Sequence, residues 1–305
     1  MRPDRFDNID FVAEPRPICL THYPSKPLID AIDSGDVKVI LIVEDPIDVV
    51  QHLQRSLGLP VMEAIRAQTA TAVANRAIGR TQQVHYLHRS TERSAGEVVE
   101  RLARELGLSI PGAGRSELMA IAAPGLPSDA DIETALSAHS EHYAPPFRSQ
   151  AGCAVDAQAL MAADVVGPLL AMARNDTTRP VVWPTEVFTF VDQPGRPAPR
   201  SAEISGPVRN LYYGPYLYLP PGRYRVEAIL GFSDEIRDVP FVLEVHGATW
   251  LVKARIDEQR AGDYRGYFIL DHHEPTATVE IRLRNERGVE RGRLSLIELL
   301  FFCID

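Results

Sequence analysis

The stretch "NLYYGPYLYLPPGRYRVEAIL" (210–230) decides how the second half of this chain is read. Tyr224, Val226, Ala228 and Leu230 alternate with Arg223, Arg225 and Glu227. A period of two sends successive side chains to opposite faces of a strand, one dry and one wet. The run before it, "YLYLP", is rich in β-favouring residues, and Pro220-Pro221-Gly222 stands between the two as a turn. A strand, a turn and a second strand returning antiparallel to the first are therefore expected.

Working outward, the same texture holds from about 181 to the end. "EVFTFV", "FVLEVHG", "TWLVKARI", "YRGYFILD", "ATVEIRLRNE" and "RLSLIELLFF" are short runs separated by Pro, Gly, Asp or Asn. In one of them Val279, Ile281 and Leu283 alternate with Glu280, Arg282 and Arg284. About eight such runs predict an all-β antiparallel sandwich, jelly-roll-like, over 181–305.

The first part of the chain reads differently. "RPICLTHYP" predicts a strand, "VKVILIVED" a second strand apolar on both faces, and "DPIDVVQHLQRSL" a helix with Asp45 or Asp48 at its start. "PVMEAIRAQTATAVANRAIGR" predicts a long helix, "QQVHYLHRS" a third strand and "SAGEVVERLARELGL" an amphipathic helix. Strands alternating with helices predict an α/β domain with a partial parallel sheet over 1–125. Between the two, 126–180 reads as a helical connector, with "VDAQALMAADVVGPLLAMAR" a helix interrupted near Pro168.

Composition narrows the function classes. The chain has 305 residues, 45% of them apolar, and a net charge of −9. An acidic balance argues against a nucleic-acid partner. No apolar run approaches the ~18 residues needed to span a bilayer, and the N-terminus lacks a basic-then-apolar leader pattern. Cys19, Cys153 and Cys303 are odd in number and far apart, which predicts buried thiols and a cytoplasmic protein rather than a disulfide framework. In "DHHEP" (271–275) the neighbouring His272 and His273 point to opposite faces, so no metal site is expected there. No cofactor is expected either.

Thr21-His22-Tyr23-Pro24, "EDPID" (44–48), "VHYLHRS" (84–90) and "ELGL" (105–108) resemble, in order and approximate spacing, elements of the PAPS-dependent sulfotransferase family. The resemblance covers roughly 17–125 and implies His22 as general base toward a sugar hydroxyl. The chain departs from that family where it grips phosphate. Glu44 stands at the Arg position, His52 at the Ser position, and no phosphate-binding loop precedes His22. A carboxylate where a phosphate should sit repels it by roughly 1–4 kcal/mol at about 4 Å.

The stretch 210–230 also resembles a carbohydrate-binding-like sandwich that accompanies glycan-assembly proteins. That resemblance implies a glycan ligand, for which Tyr213, Tyr216 and Trp250 offer ring faces and Asp271 and His272 offer polar groups. The expectation is a non-catalytic or altered sulfotransferase-like protein of bacterial surface-glycan assembly, with a glycan or a glycan-assembly protein as partner and a homodimer as its state. Two alternatives stay open: an active transferase using His22, and an oligomerisation scaffold with no small ligand.

Overall fold

The computed structural model describes residues 26–35, 37–79, 84–88, 94–107, 134, 157–257 and 260–304. The expected strand at 16–24, with His22, lies outside these residues, as do Cys19 and Cys153. The chain divides into two compact units, Met1–Leu59 with Thr81–Val155, and Pro60–Arg80 with Asp156–Asp305. This differs from the expected boundaries at 125 and 180. The segments 60–80 and 156–180 belong with the sandwich, because their helices pack on its strands.

In the first unit, α1 spans Lys26–Asp33, β1 spans Val39–Val43 and α2 spans Pro46–Leu57. After α3 (Val61–Gly79), which belongs to the second unit, come β2 (Val84–His88) and α4 (Ala95–Leu106). β1 and β2 pair in parallel, from Val39 opposite Val84 to Val43 opposite His88. Local signals set the helix ends. Asp45 caps α2 by accepting from the Ile47 amide, and Gly58 ends it at φ 66°, where a Cβ would be strained. Ser94 and Glu97 form a reciprocal capping box at the start of α4.

The second unit begins with α3 and resumes at α5 (Ala157–Val165) and α6 (Gly167–Ala173). The break between α5 and α6 falls at Val166, and Pro168 sits in the first turn of α6, where its missing N–H costs nothing. Ala64, Ile65, Ala72 and Val73 of α3 are buried, as are Val165, Leu169 and Met172. α3 packs on α6, and α5 packs on the first strand of the sandwich.

Ten strands follow: β3 (Val181–Pro184), β4 (Thr189–Phe190), β5 (Ser201–Gly206), β6 (Asn210–Tyr218), β7 (Gly222–Phe232), β8 (Phe241–His246), β9 (Trp250–Ile256), β10 (Gly262–His272), β11 (Thr278–Asn285) and β12 (Val289–Cys303). They form two five-stranded antiparallel sheets. One, the β7 sheet, runs β10-β7-β12-β3 with β5 also on β12; the other, the β6 sheet, runs β4-β6-β11-β8-β9. The alternation seen in the sequence is obeyed. Tyr224, Val226 and Leu230 of β7, and Val279, Ile281 and Leu283 of β11, all face the core. Phe232 of β7 meets Phe241 of β8 at a centroid distance of 5.4 Å, an aromatic contact joining the two sheets.

The Pro-Pro-Gly turn is not the hairpin the sequence suggests. β6 and β7 lie in different sheets, so 219–221 is an arch across the edge of the sandwich. Leu219 and Pro220 are buried, and two side chains satisfy their carbonyls. The Tyr224 hydroxyl donates to the Pro220 carbonyl at 2.6 Å, and His272 Nε2 bonds the Leu219 carbonyl at 3.0 Å. Buried carbonyls without water need such partners. The two prolines offer no N–H for a hairpin ladder, which removes the main competitor to the arch.

One edge is protected by a helix. β4 covers β6 only at Tyr212 and Tyr213. Beyond it, Thr69 of α3 accepts from the Tyr218 amide at 3.2 Å, while Arg66 donates to the Tyr216 and Pro215 carbonyls at 3.0 and 3.1 Å. A bare strand edge would otherwise present these groups to solvent.

Candidate functional site

The outer face of the β6 sheet gathers the chemistry. In an antiparallel ladder directly opposite residues share a face. Tyr213 is opposite Arg282, Arg282 opposite Glu244, and Glu244 opposite Lys253. The next row runs from Pro215 through Glu280 and His246 to Trp250. A row on the other side holds Arg284, Val242 and Arg255. The opposite face of the same strands, with Tyr212, Leu283 and Leu243, is core.

Tyr216 reaches this face through a distortion. The register shifts between Val279 and Glu280, leaving an extra residue on β6, and Tyr216 occupies the left-handed region at φ 61°. A bulge of this kind re-aims a side chain, and a non-glycine residue there is held by its surroundings at some cost. Arg66 holds it from the edge, with its guanidinium 5.9 Å from the Tyr216 ring centre. The Tyr216 hydroxyl donates to Glu280 Oε1 at 2.9 Å. Burial first, then the neighbouring Glu280 carboxylate, pushes the Tyr216 phenol up to about 12.

Glu280 is the centre of the network. Arg282 donates to it from both Nε (3.0 Å) and Nη2 (2.7 Å), a two-pronged geometry that is strong for a guanidinium. Burial pushes its carboxyl up, but the hydrogen bonds from Arg282 and Tyr216 outweigh that and hold it below the usual range. One strand over, Glu244 is buried, with His246 Nε2 at 3.5 Å and Arg284 Nη1 at 3.9 Å. The His246 and Trp250 rings lie 5.3 Å apart, which steadies an indole that is 56% exposed. At the end of the face a shallow cleft of about 410 Å³ opens between Tyr218, Thr278, Glu274 and the β8–β9 turn at Gly247-Ala248.

Three of the five expected glycan contacts therefore lie on one face: Tyr213, Tyr216 and Trp250. The other two are elsewhere. Asp271 lies opposite Arg223 in the β7 sheet and pairs with it at 3.4 Å. His272 is corrected from ligand contact to core residue, because its ring is buried and turned to the Leu219 carbonyl. Burial is also the main cause that holds its imidazole below the usual value. His273 is exposed, on the other side from His272 as expected. Cys303 is a free thiol but partly exposed, not buried. His22 lies outside the described residues.

Sequence reasoning missed Glu244, Glu280 and the two arginines as members of the site. Their signal was present in the "E-R-R-E" spacing of Glu280, Arg282, Arg284 and Glu286, and in one carboxylate inside the apolar run "FVLEVH". In the first unit the β1–α2 turn uses its amides internally. Glu44 accepts from the Asp45 N–H and Asp45 from the Ile47 N–H, both at 2.9 Å. Among the described residues no group of three His, Cys, Asp or Glu could hold a metal ion, and no helix is long and apolar enough to cross a membrane.

No family model and no curated protein matches the chain. Solved structures do resemble part of it. A "Family 16 Carbohydrate Binding Module-2" is 12% identical over 40% of this chain and 84% of its own, with a TM-score of 0.26. "TmCBM61 in complex with beta-1,4-galactotriose" is 11% identical over 42% and 90%, with a TM-score of 0.27. Eiger TNF from S. frugiperda is 15% identical over 34% and 85%, with a TM-score of 0.23. At TM-scores this low the likenesses carry no argument about ligand.

Proposed function

We propose that the second unit is a glycan-binding module whose site is the outer face of the β6 sheet. The supporting observation is the convergence of Tyr213, Tyr216 and Trp250 with a hydrogen-bonded carboxylate–guanidinium network on one face. Aromatic rings offer an apolar surface to the C–H face of a pyranose, and fixed polar groups read its hydroxyls. Tyr216 contributes both, since its hydroxyl is locked onto Glu280 and its ring is partly exposed. In the first unit we read the β1–α2 turn as scaffold rather than donor site, because its own carboxylates already occupy the amides a phosphate would use. Non-catalytic recognition of a surface glycan is the function this reading supports.

The test is titration of the full chain against a panel of soluble polysaccharides, by calorimetry and affinity electrophoresis, with Trp250→Ala and Tyr216→Ala alongside. Binding to at least one polymer that both variants weaken supports the site. Binding that neither variant touches places the site elsewhere, and no binding to any polymer overturns the reading.

A further inference from the structure

We propose that the saccharide taken by this face is anionic, a uronate-bearing glycan, with Arg284 as the residue that meets its carboxylate. The inference deepens the glycan reading and rests on it.

The argument is one of depth. The face carries charges of both signs, but they are not level. The side chains of Arg282, Arg284, Lys253 and Arg255 are between 35% and 56% exposed. Those of Glu244, Glu280 and Glu286 are only 6%, 11% and 25% exposed. Asp257, 49% exposed and 3.3 Å from Arg255, stands level with the cations just past the end of β9. Over the rest of the face a ligand arriving from solvent meets cationic heads, with the compensating carboxylates beneath them. A neutral polymer would bring no counter-charge to a cation whose own carboxylate holds it only loosely, whereas a uronate would.

Among the cations Arg284 is the least committed. Arg282 uses Nε and Nη2 on Glu280. Arg255 Nε is 2.9 Å from Glu286, which also has Lys253 at 3.4 Å. Arg284 has Glu244 only at 3.9 Å, beyond hydrogen-bonding range, and its Nε is buried with no hydrogen-bond partner among the described residues. The Nε is shielded from solvent and so from a ligand, but the side chain as a whole is 37% exposed, and that exposed part is held only loosely by its own carboxylate. A planar carboxylate fits the guanidinium fork with two parallel hydrogen bonds.

General attraction of polyanions does not explain such a site. The chain carries a net charge of −9, so its overall field opposes an acidic polymer and only a local feature can favour it.

The experiment compares polygalacturonate, a neutral β-1,4-galactan and poly-L-glutamate as a polyanion without sugar. Each is titrated into the full chain and into Arg284→Gln and Trp250→Ala, at about 20 mM and about 0.5 M salt. The expected result is polygalacturonate binding about tenfold tighter than galactan at low salt, with Arg284→Gln bringing that ratio toward one. Trp250→Ala weakens both sugars, and poly-L-glutamate does not bind. Equal affinity for the two sugars, with Arg284→Gln leaving the ratio unchanged, overturns the anionic preference while the glycan reading stands. Poly-L-glutamate binding as well as polygalacturonate also overturns it, since sugar is then irrelevant. No binding of either sugar defeats the glycan reading for these polymers and this inference with it.

Discussion

The hydroxyl of Tyr216, on a bulge of β6, donates at 2.9 Å to Glu280 on the neighbouring strand β11, the same carboxylate that Arg282 grips with two nitrogens. This bond couples an aromatic surface to the charged layer beneath it. Removing only the hydroxyl, in Tyr216→Phe, is expected to cost about 1 kcal/mol of stability. The phenol titrates near 12 because burial, above all, raises it. Its raised value means the contribution is present below pH 10 and is lost as pH rises through about 12. An absorbance titration of tyrosinate should show one fewer late-ionising tyrosine in the variant. Burial also pushes the Tyr212 phenol up, so late ionisation at Tyr212 should persist in the variant.

Glu280→Ala leaves Arg282 without its carboxylate. Arg282 is about a third exposed, so water screens part of the loss, and a cost of roughly 1–3 kcal/mol in denaturant unfolding is expected. Because the Glu280 carboxyl is held low, its contribution is present above the unfolded value of 4.5 and lost as pH falls through the folded one. Unfolding measured from pH 7 down to pH 3 should show a shallower acid decline in Glu280→Gln than in the parent.

Trp250→Ala separates binding from folding. The indole is 56% exposed on β9, an edge strand, and the ring stacked near it is that of His246. Stability should change by no more than about 0.5 kcal/mol, while glycan affinity falls about tenfold. A large drop in melting temperature would mean that the ring is structural.

His272→Ala should destabilise the arch between the sheets by about 1–3 kcal/mol, since the Leu219 carbonyl loses its partner in a buried place. In the parent the imidazole is kept neutral by burial, so its value lies below 6.5. Stability linked to it is present above pH 6.5 and falls as pH drops through the folded value. Proton NMR of the imidazole should show a ring that titrates later on acidification than an exposed histidine.

Adenosine 3′,5′-bisphosphate is expected not to bind at millimolar concentration. The turn that a sulfotransferase would use for the 3′-phosphate here holds Glu44 and Asp45 on its own amides. Calorimetric binding in the micromolar range would restore the donor-site reading, and a His22→Ala variant would then be the next measurement.

How much of the fold was legible in the sequence depends on the range of the forces involved. The caps at Asp45, Ser94, Gly58 and Gly107 obey rules that act within four residues; of the two residues expected at the start of α2, Asp45 or Asp48, the structure has Asp45 as the cap. The wet and dry faces of β7 and β11 come from a period of two, which needs no knowledge of partners. β3 and β5 went unread because one is four residues long and the other carries only two apolar residues, Ala202 and Ile204, and both are held by the long strand β12.

What the sequence by itself determined is local: which of the longer apolar or alternating stretches are strands, which residue of each pair faces inward, and roughly where helices stop. Tertiary structure alone decided that the turn at 220–222 is an arch between sheets, because strand partnership depends on groups 50 residues and more away, such as His272 on Leu219. It decided that α3 belongs with the sandwich, since the edge of β6 needed a cover and Arg66 and Thr69 supply it. It also sorted the expected contacts, setting Tyr213, Tyr216 and Trp250 on one face, Asp271 on another sheet and His272 in the core. Alternation along one strand assigns a face to each residue. Only the pairing of strands decides whose faces coincide.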